Sequence, residues 1–152
     1  MKCHHSSVPT VALSEALFRR PAVTDGTGIL LLNGQWQGIP TWCQEILGDA
    51  ISEIETITGL KAHHVSVNVI VPRGGSGWHA DPTPQDEKGQ SLYHDRWHLP
   101  LRTNAKCWFE DDEHERFHMA LGWWWGPVKY WLLHAVGNDG DQPRMHLIVD
   151  LR

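Results

Sequence analysis

Residues 65–71 read VSVNVIV, and this stretch decides the fold that the sequence predicts. Valine, a β-branched residue, recurs at every second position, which predicts a strand. The next residues, PRGGSG at 72–77, are typical of a turn, and His79 and Asp81 follow soon after it. Both side chains are therefore expected just past a strand end, where a rigid scaffold commonly carries binding and catalytic groups.

The other elements are predicted from similar patterns. Strands are expected, between glycine, proline or charged turns, over residues 64–72, 97–102, 106–110, 117–125, 129–136 and 144–151. The N-terminal part is mixed, with a short helix at residues 13–19 and a strand at residues 29–32. We expect one domain over residues 1–152, in which a mixed helical region at residues 1–60 supports a β core at residues 61–152.

The longest helix is predicted over residues 41–58, because isoleucines at positions 46, 51, 54 and 57 recur with helical spacing. Thr41 is the expected N-cap, with Gln44 as its partner in a capping box. Gly59 is the expected end of the helix. Together these elements predict one helix packed against a β-sandwich.

His79, Asp81 and His134 have the residue types of a mononuclear iron site. Residues two apart on an extended segment point to the same side, so His79 and Asp81 can bind one ion together. With His134 the set is two imidazoles and one carboxylate, which leaves about half of an octahedral coordination sphere open for a co-substrate and dioxygen. Arg144 offers two parallel donors to a carboxylate co-substrate. The pattern indicates oxygen chemistry.

Four further stretches of sequence have a characteristic order and spacing from about residue 65 to the C-terminus. They are VIVP at 69–72 running into WHAD at 78–81, RWHLPL at 96–101, HAVGN at 134–138, and RMHLIVD at 144–150. In this order the stretches resemble the aspartyl/asparaginyl β-hydroxylase-like family of Fe(II)- and 2-oxoglutarate-dependent dioxygenases. The resemblance implies a mainly β fold, the double-stranded β-helix or cupin-like jelly roll, with one or two N-terminal helices packed against it.

The resemblance also implies a role for each matching residue. His79, Asp81 and His134 would bind Fe(II), and Arg144 would pair with the distal carboxylate of 2-oxoglutarate. Some family members lack the metal carboxylate, whereas Asp81 provides it here.

Three further residues are implied in binding the co-substrate. Arg96 and His98 match the family's Arg-x-His segment, which is similar to a second anion-binding pair near the metal. Asn68 stands where some members have a small hydroxyl residue beside the arginine. His146 alternates with Arg144 and should face the same side of its strand.

The function implied by the resemblance is the hydroxylation of an aspartyl or asparaginyl residue, or of a free amino acid, with O2 as oxidant. Succinate and CO2 would be the co-products. Two alternatives stay open. One is a non-catalytic jelly-roll module that binds a ligand through some of the nine tryptophans. The other is a different cupin-type metalloenzyme, which would not need Arg144.

Residues 114–118, HERFH, match the His-Glu-x-x-His pattern of zinc peptidases. That pattern works on a helix, which places both histidines on one face. Here apolar residues alternate from Phe117 onward, which favours a strand, and an acidic turn precedes it. We therefore expect a charged hairpin, with His114 and His118 outside the site.

Charge and composition exclude several classes of function. The net charge is −5, from 18 acidic and 13 basic residues, and no basic run indicates a nucleic-acid or membrane partner. The three cysteines have no paired spacing, which fits a reducing compartment. Residues 1–7 have no apolar signal core, and no stretch approaches the ~20 apolar residues of a membrane span. We expect a cytoplasmic protein with an amino-acid, peptide or protein substrate, and no feature indicates an oligomeric state.

Overall fold

This computed structural model describes residues 1–18, 27–32, 35–92 and 94–152, which form two helices and two antiparallel sheets. The helices are α1 (Thr10–Phe18) and α2 (Thr41–Thr58). The strands are β1 (Lys2–His5), β2 (Thr27–Leu32), β3 (Gln35–Trp36), β4 (Ala62–Ile70), β5 (Gly75–His79), β6 (Asp95–Arg102), β7 (Cys107–Asp111), β8 (His114–Phe117), β9 (Trp123–Val128), β10 (His134–Asn138) and β11 (Arg144–Leu151).

The chain passes back and forth between the two sheets. The larger sheet has the strand order β1-β9-β6-β11-β4-β2-β3, and the smaller has the order β5-β10-β7-β8. Thus β5 and β10 belong to the smaller sheet, although β4, β6, β9 and β11 around them in sequence belong to the larger one. This is the architecture of a jelly roll, and the predicted fold class is confirmed.

The hydrophobic core lies between the larger sheet and the two helices. Valines 65, 67 and 69 of β4 are buried there, together with alternate residues of β6 and β11. The helices contribute Leu13 and Leu17 from α1, and Leu47 and Ile54 from α2. Each such side chain contributes about 1.5–3 kcal/mol when it is fully buried. The opposite face of the same strands is left for polar side chains.

The predicted bounds of α2 are confirmed, but its predicted cap is wrong. Gly59 ends the helix with φ of 74°, and its N–H donates to the Glu55 carbonyl. At the other end the N-cap is Pro40, with no side-chain cap, and its carbonyl accepts from the backbone N–H groups of residues 43 and 44. Thr41 therefore already lies inside the helix. The Gln44 side chain donates instead to the Ile39 carbonyl, at 2.7 Å.

Several other predicted bounds differ from the structure. The turn predicted at residues 72–77 contains the start of β5, and the strand predicted over 117–125 is interrupted between β8 and β9. The strand predicted over 129–136 begins only at β10, because residues 129–132 form turns through the Tyr130 and Leu132 N–H groups. The first helix begins at residue 10, and its predicted end at residue 19 lies outside the described residues.

The glycines of the predicted turn permit β5 to pair with β10. A Cβ on Gly75 would lie 2.6 Å from the Val136 carbonyl oxygen, so only glycine allows this close approach without a shift of backbone. β5 and β10 then pair in antiparallel register. As a result of this pairing, His79 at the far end of β5 lies opposite His134.

The zinc-peptidase alternative fails on geometry. His114 lies in β8, which pairs with β7 in a hairpin, so the helix required by the motif is not formed. The His114 ring contacts Asp111 at 2.8 Å, and the His118 ring contacts the Cys107 carbonyl at 2.9 Å. Neither histidine belongs to the group of three metal-ligand candidates or lines the cavity that contains them. In the described part of the chain, no helix is long and apolar enough to cross a membrane.

Glu53 of α2 attaches the N-terminal strand to the rest of the fold. Its carboxylate accepts hydrogen bonds from the Ser6 hydroxyl at 2.5 Å, from the Ser7 hydroxyl and N–H at 2.7 Å each, and from the Trp124 indole at 2.7 Å. Burial alone raises the pKa of Glu53, but these donors outweigh it, so the pKa is lower than usual.

We expect Glu53→Gln to lower the free energy of unfolding by about 2 kcal/mol at pH 7, because hydrogen bonds to an ionised acceptor are lost. The lowered pKa stabilises the fold above the unfolded-state pKa, and this contribution disappears as the pH falls through the folded-state pKa. Urea unfolding from pH 7 to pH 3 should therefore show the variant converging on the wild type. Glu45→Gln, on an exposed position of the same helix, is the control. A difference that stays constant with pH would contradict this role.

Candidate metal centre

A single cavity contains all seven residues that the sequence predicts for the site. It has a volume of about 270 Å³ and is lined by both sheets. The seven residues are Asn68, His79, Asp81, Arg96, His98, His134 and Arg144. The larger sheet contributes the face of β4, β6 and β11 that is turned away from the helices. The smaller sheet contributes the ends of β5 and β10.

The metal-ligand candidates meet where β5 ends and β10 begins. His79 is the last residue of β5 and pairs in register with His134, the first residue of β10. Their ring centroids are 4.4 Å apart. Asp81 follows two residues later and is held by its backbone N–H, which donates to the Tyr130 carbonyl at 2.9 Å. One ligand atom from each of the three residues lies within 4.8 Å of the others.

Backbone carbonyls set the orientation of both imidazoles. Nδ1 of His79 lies 2.8 Å from the Gly77 carbonyl, and Nδ1 of His134 lies 2.9 Å from the Leu132 carbonyl. A carbonyl only accepts, so each Nδ1 carries the proton and each Nε2 presents a lone pair. Burial lowers the pKa of His134, which favours the neutral, metal-binding form. The donor set therefore fits a divalent first-row metal such as iron.

Arg144 is a buried cation at the deep side of the cavity. Its exposure is 2%, and burial lowers its pKa to about 10. Its guanidinium donates to Oδ1 of Asn68 at 3.3 Å and to Nδ1 of His146 at 2.9 Å. Both partners are neutral, and none of the described carboxylates forms an ion pair with Arg144. A buried charge without a counter-ion is costly, so this position is suited to an anionic ligand.

Two buried histidines lie beside Arg144. Nδ1 of His146 must accept the hydrogen bond from the guanidinium. Nδ1 of His98 lies 3.5 Å from Nδ1 of His146. Burial, reinforced by the charge of Arg144, holds the pKa of both histidines well below the usual range. The contact between Arg144 and His146 agrees with the prediction that both side chains face the same side of their strand.

Arg96 is surrounded by carboxylates. Its Nε and Nη2 donate to the two oxygens of Asp150 at 2.7 and 3.0 Å, and its Nη1 donates to Oδ2 of Asp81. The guanidinium carbon lies 4.0 Å above the Tyr130 ring. Burial would lower the pKa of Arg96, but the two carboxylates outweigh it and raise the pKa. The co-substrate role implied for Arg96 stays a prediction, as do those of His98 and Asn68.

Asp150 and Tyr130 are residues of this network that the sequence analysis did not identify. Asp150 could have been identified from the sequence, because alternation along a strand places it on the same side of β11 as Arg144 and His146. Tyr130 had no comparable signal. It belongs to the turn between β9 and β10, and the sequence pattern there predicts a strand.

The fold and the three-residue donor set define a jelly roll with the residue types of a non-haem metal oxygenase. A family profile described as aspartyl/asparaginyl beta-hydroxylase matches residues 37–152. The match covers most of the chain, so the protein belongs to the aspartyl/asparaginyl β-hydroxylase family and is a hydroxylase-type enzyme. The family predicted from the four sequence stretches is confirmed. A search of curated protein sequences finds no significant match.

Solved structures with the same fold include several oxygenases. The viral collagen prolyl hydroxylase of Paramecium bursaria Chlorella virus-1, in a 2-oxoglutarate complex, has a TM-score of 0.65 at 10% identity, over 99% of this chain and 94% of that chain. The prolyl-4-hydroxylase of Pseudomonas putida gives 0.63 at 14% identity, over 99% and 91%. An oxidoreductase of the 2OG-Fe(II) oxygenase family from Burkholderia pseudomallei gives 0.62 at 13%, over 92% and 76%. At these identities the similarity establishes the fold.

Because two histidines are buried, we expect the protein to lose stability in mild acid. A histidine whose folded-state pKa is lowered resists protonation while the unfolded chain accepts the proton, so stability falls as the pH drops below about 6.5. We expect His146→Gln to make the free energy of unfolding fall less steeply with decreasing pH, by up to about 1.4 kcal/mol per pH unit between pH 6 and pH 5. Urea unfolding of metal-free protein measures it. The exposed His5, replaced by Gln, should leave the slope unchanged, and an unchanged slope for His146→Gln would refute the prediction.

Proposed function

We propose that this protein is an Fe(II)- and 2-oxoglutarate-dependent dioxygenase that hydroxylates an aspartyl or asparaginyl residue, or a free amino acid. The observation that carries the proposal is the pairing of two features in one cavity. His79, Asp81 and His134 offer a metal-binding set, and the buried Arg144 faces the same space without a described carboxylate partner. A buried cation without a counter-ion is costly, so its presence in this cavity supports the binding of an anionic co-substrate.

Fe(II) would be held by His79, Asp81 and His134. The lone pairs of both Nε2 atoms and one carboxylate oxygen satisfy the preference of iron for two histidines and one carboxylate. When bound, the metal and 2-oxoglutarate supply the oxidising chemistry, in which O2 oxidises the co-substrate to succinate and CO2 and inserts an oxygen atom into the substrate. The protein's own contribution is to orient the ligands and to exclude water.

Arg144 would bind the distal carboxylate of 2-oxoglutarate. Its planar guanidinium stays charged after desolvation, and the hydrogen bonds to Asn68 and His146 fix its orientation. The predicted roles of Asn68 and His98 in co-substrate binding belong to the same proposal, whereas the co-substrate role implied for Arg96 does not, because carboxylates of the protein already engage its guanidinium. For Asn68 the support is its contact with Arg144, and for His98 it is the burial of its ring beside that pair.

The two sides of the cavity differ in exposure, which indicates the direction of substrate entry. The side chains of His79 and Asp81 are 39% and 33% exposed, whereas Arg144 is buried. The co-substrate carboxylate would therefore lie deep, and the substrate would approach from the metal side. A cavity of about 270 Å³ that also holds the co-substrate suits a single side chain or a free amino acid.

The first test uses no substrate. Fe(II) and 2-oxoglutarate are added without oxygen to metal-free protein, and the visible charge-transfer band of the chelated complex is recorded. We expect the band in the wild type and in the control His118→Ala, and its loss in His134→Ala. Iron binding without the band would favour a different metal chemistry. No metal binding would favour the non-catalytic module.

The second test removes the anchor for the co-substrate. We expect Arg144→Lys to raise the 2-oxoglutarate concentration needed for half-maximal turnover by about 10-fold or more, since lysine keeps the charge but loses the two parallel donors, and a hydrogen bond to a charged group is worth about 1.5–3 kcal/mol. Metal affinity should not change. Arg102→Lys is the matched control, because Arg102 stacks on Phe18 on the other side of the larger sheet. An unchanged co-substrate requirement would remove this role from Arg144.

A further inference from the structure

We propose that Arg96 is a positioning residue for the metal carboxylate Asp81, and that Asp150 holds Arg96 in place for this task. The inference rests on the proposed function, because it takes Asp81 as an iron ligand. It gives Arg96 a role different from the anion-binding role that the family resemblance implies.

Asp150 fixes the plane of the Arg96 guanidinium. The two residues are paired in register on neighbouring strands, β11 and β6. Nε and Nη2 donate in parallel to the two carboxylate oxygens at 2.7 and 3.0 Å, which is the bidentate geometry that restricts a guanidinium most strongly. The Tyr130 ring covers one face of the guanidinium, and Nδ1 of His64 lies 3.4 Å from Oδ2 of Asp150.

The remaining edge of the guanidinium meets Asp81. Nη1 of Arg96 donates to Oδ2 of Asp81, whereas Oδ1 lies 3.5 Å from Nε2 of His79. One oxygen is therefore engaged by the arginine, and the other lies beside the His79 imidazole. Asp81 lies beyond the end of β5, and the hydrogen bond from Arg96 favours one of its side-chain rotamers. The arrangement favours coordination through a single oxygen.

The charges of the three residues explain why Asp150 is needed. An arginine alone beside Asp81 would cancel the negative charge that attracts the metal. Asp150 supplies a second carboxylate to the same guanidinium, so the group of three carries a net charge of −1 and Asp81 stays attractive to a cation. Because the side chains of Arg96 and Asp150 are only 15% and 7% exposed, water screens these interactions weakly.

The hydrogen-bond count distinguishes this role from co-substrate binding. A guanidinium has five N–H donors, and three of those of Arg96 are engaged by carboxylates. Arg144 differs, since its contacts here are to the neutral Asn68 and His146. Of the two arginines in the cavity, Arg144 has the electrostatic need for an anion and Arg96 has its charge already matched.

The test measures the affinity of metal-free protein for Ni(II) by calorimetry, because Ni(II) binds imidazole sites tightly. We expect Arg96→Gln to weaken Ni(II) binding about 10–100-fold, the usual effect of removing a residue that orients a metal ligand. Asp150→Asn should weaken it in the same direction. The control Arg102→Gln should have no effect. Arg96→Lys, which keeps the charge but not the bidentate contact, should give a smaller loss, and it replaces Arg96→Gln if that variant does not fold.

A second background separates positioning from general structural damage. If Arg96 acts through Asp81, Arg96→Gln should cost little further Ni(II) affinity in protein that already carries Asp81→Ala. An equal loss in both backgrounds would overturn the proposal. So would unchanged Ni(II) affinity with a raised 2-oxoglutarate requirement, which would assign Arg96 to the co-substrate.

The same titration keeps the two proposals apart. Wild-type protein that binds no Ni(II) would refute the metal site, and with it both the proposed function and the role of Arg96. Wild-type binding that is unaffected by Arg96→Gln would refute the positioning role alone. Metal binding that depends on Arg96, without a 2-oxoglutarate charge-transfer band, would leave the positioning role standing and refute the co-substrate.

Discussion

The alternation of side chains along three neighbouring strands is the constraint on which the rest of the structure depends. On β4, β6 and β11, every second residue packs against the helices, and the residues between them face the cavity. The apolar face provides the stability that allows the polar face to carry charges. A buried arginine and two buried neutral histidines are tolerated because the valines, leucines and methionine on the reverse side form a continuous core. A shift of register by one residue would exchange the two faces and destroy both.

The smaller sheet supplies what the larger one lacks, which is a precise meeting point for ligands. Its strand ends bring His79 opposite His134, and carbonyls two residues before each histidine set the ring orientation. These contacts come from the backbone of the same strand or turn, so they do not depend on other side chains. Asp81 differs, because its orientation relies on contacts that cross the cavity. The site thus combines two ligands fixed locally with one fixed from a distance.

Local patterns in the sequence predicted the parts of this arrangement that depend on local physics. The isoleucine spacing and Gly59 gave the bounds of α2, and the valine run gave β4. The predicted cap at Thr41 was wrong because Pro40 already provides the carbonyl that the first helical turn needs. β5 was not predicted, because glycines normally indicate a turn, whereas Gly75 here permits the close approach of another strand. The contacts of Arg96 join residues 15 and 54 positions away in sequence, and no local pattern contains them.

The strand order has a consequence for how the chain folds during synthesis. β11 lies between β4 and β6 in the larger sheet, yet it is made after both of them. Until it emerges from the ribosome, β4 and β6 each have an open edge and an apolar face that lacks part of its cover. Such long-range pairing is slow to form and exposes surface that promotes aggregation. Production of this protein should therefore be sensitive to the rate of translation and to the supply of chaperones while its C-terminal strand is still missing.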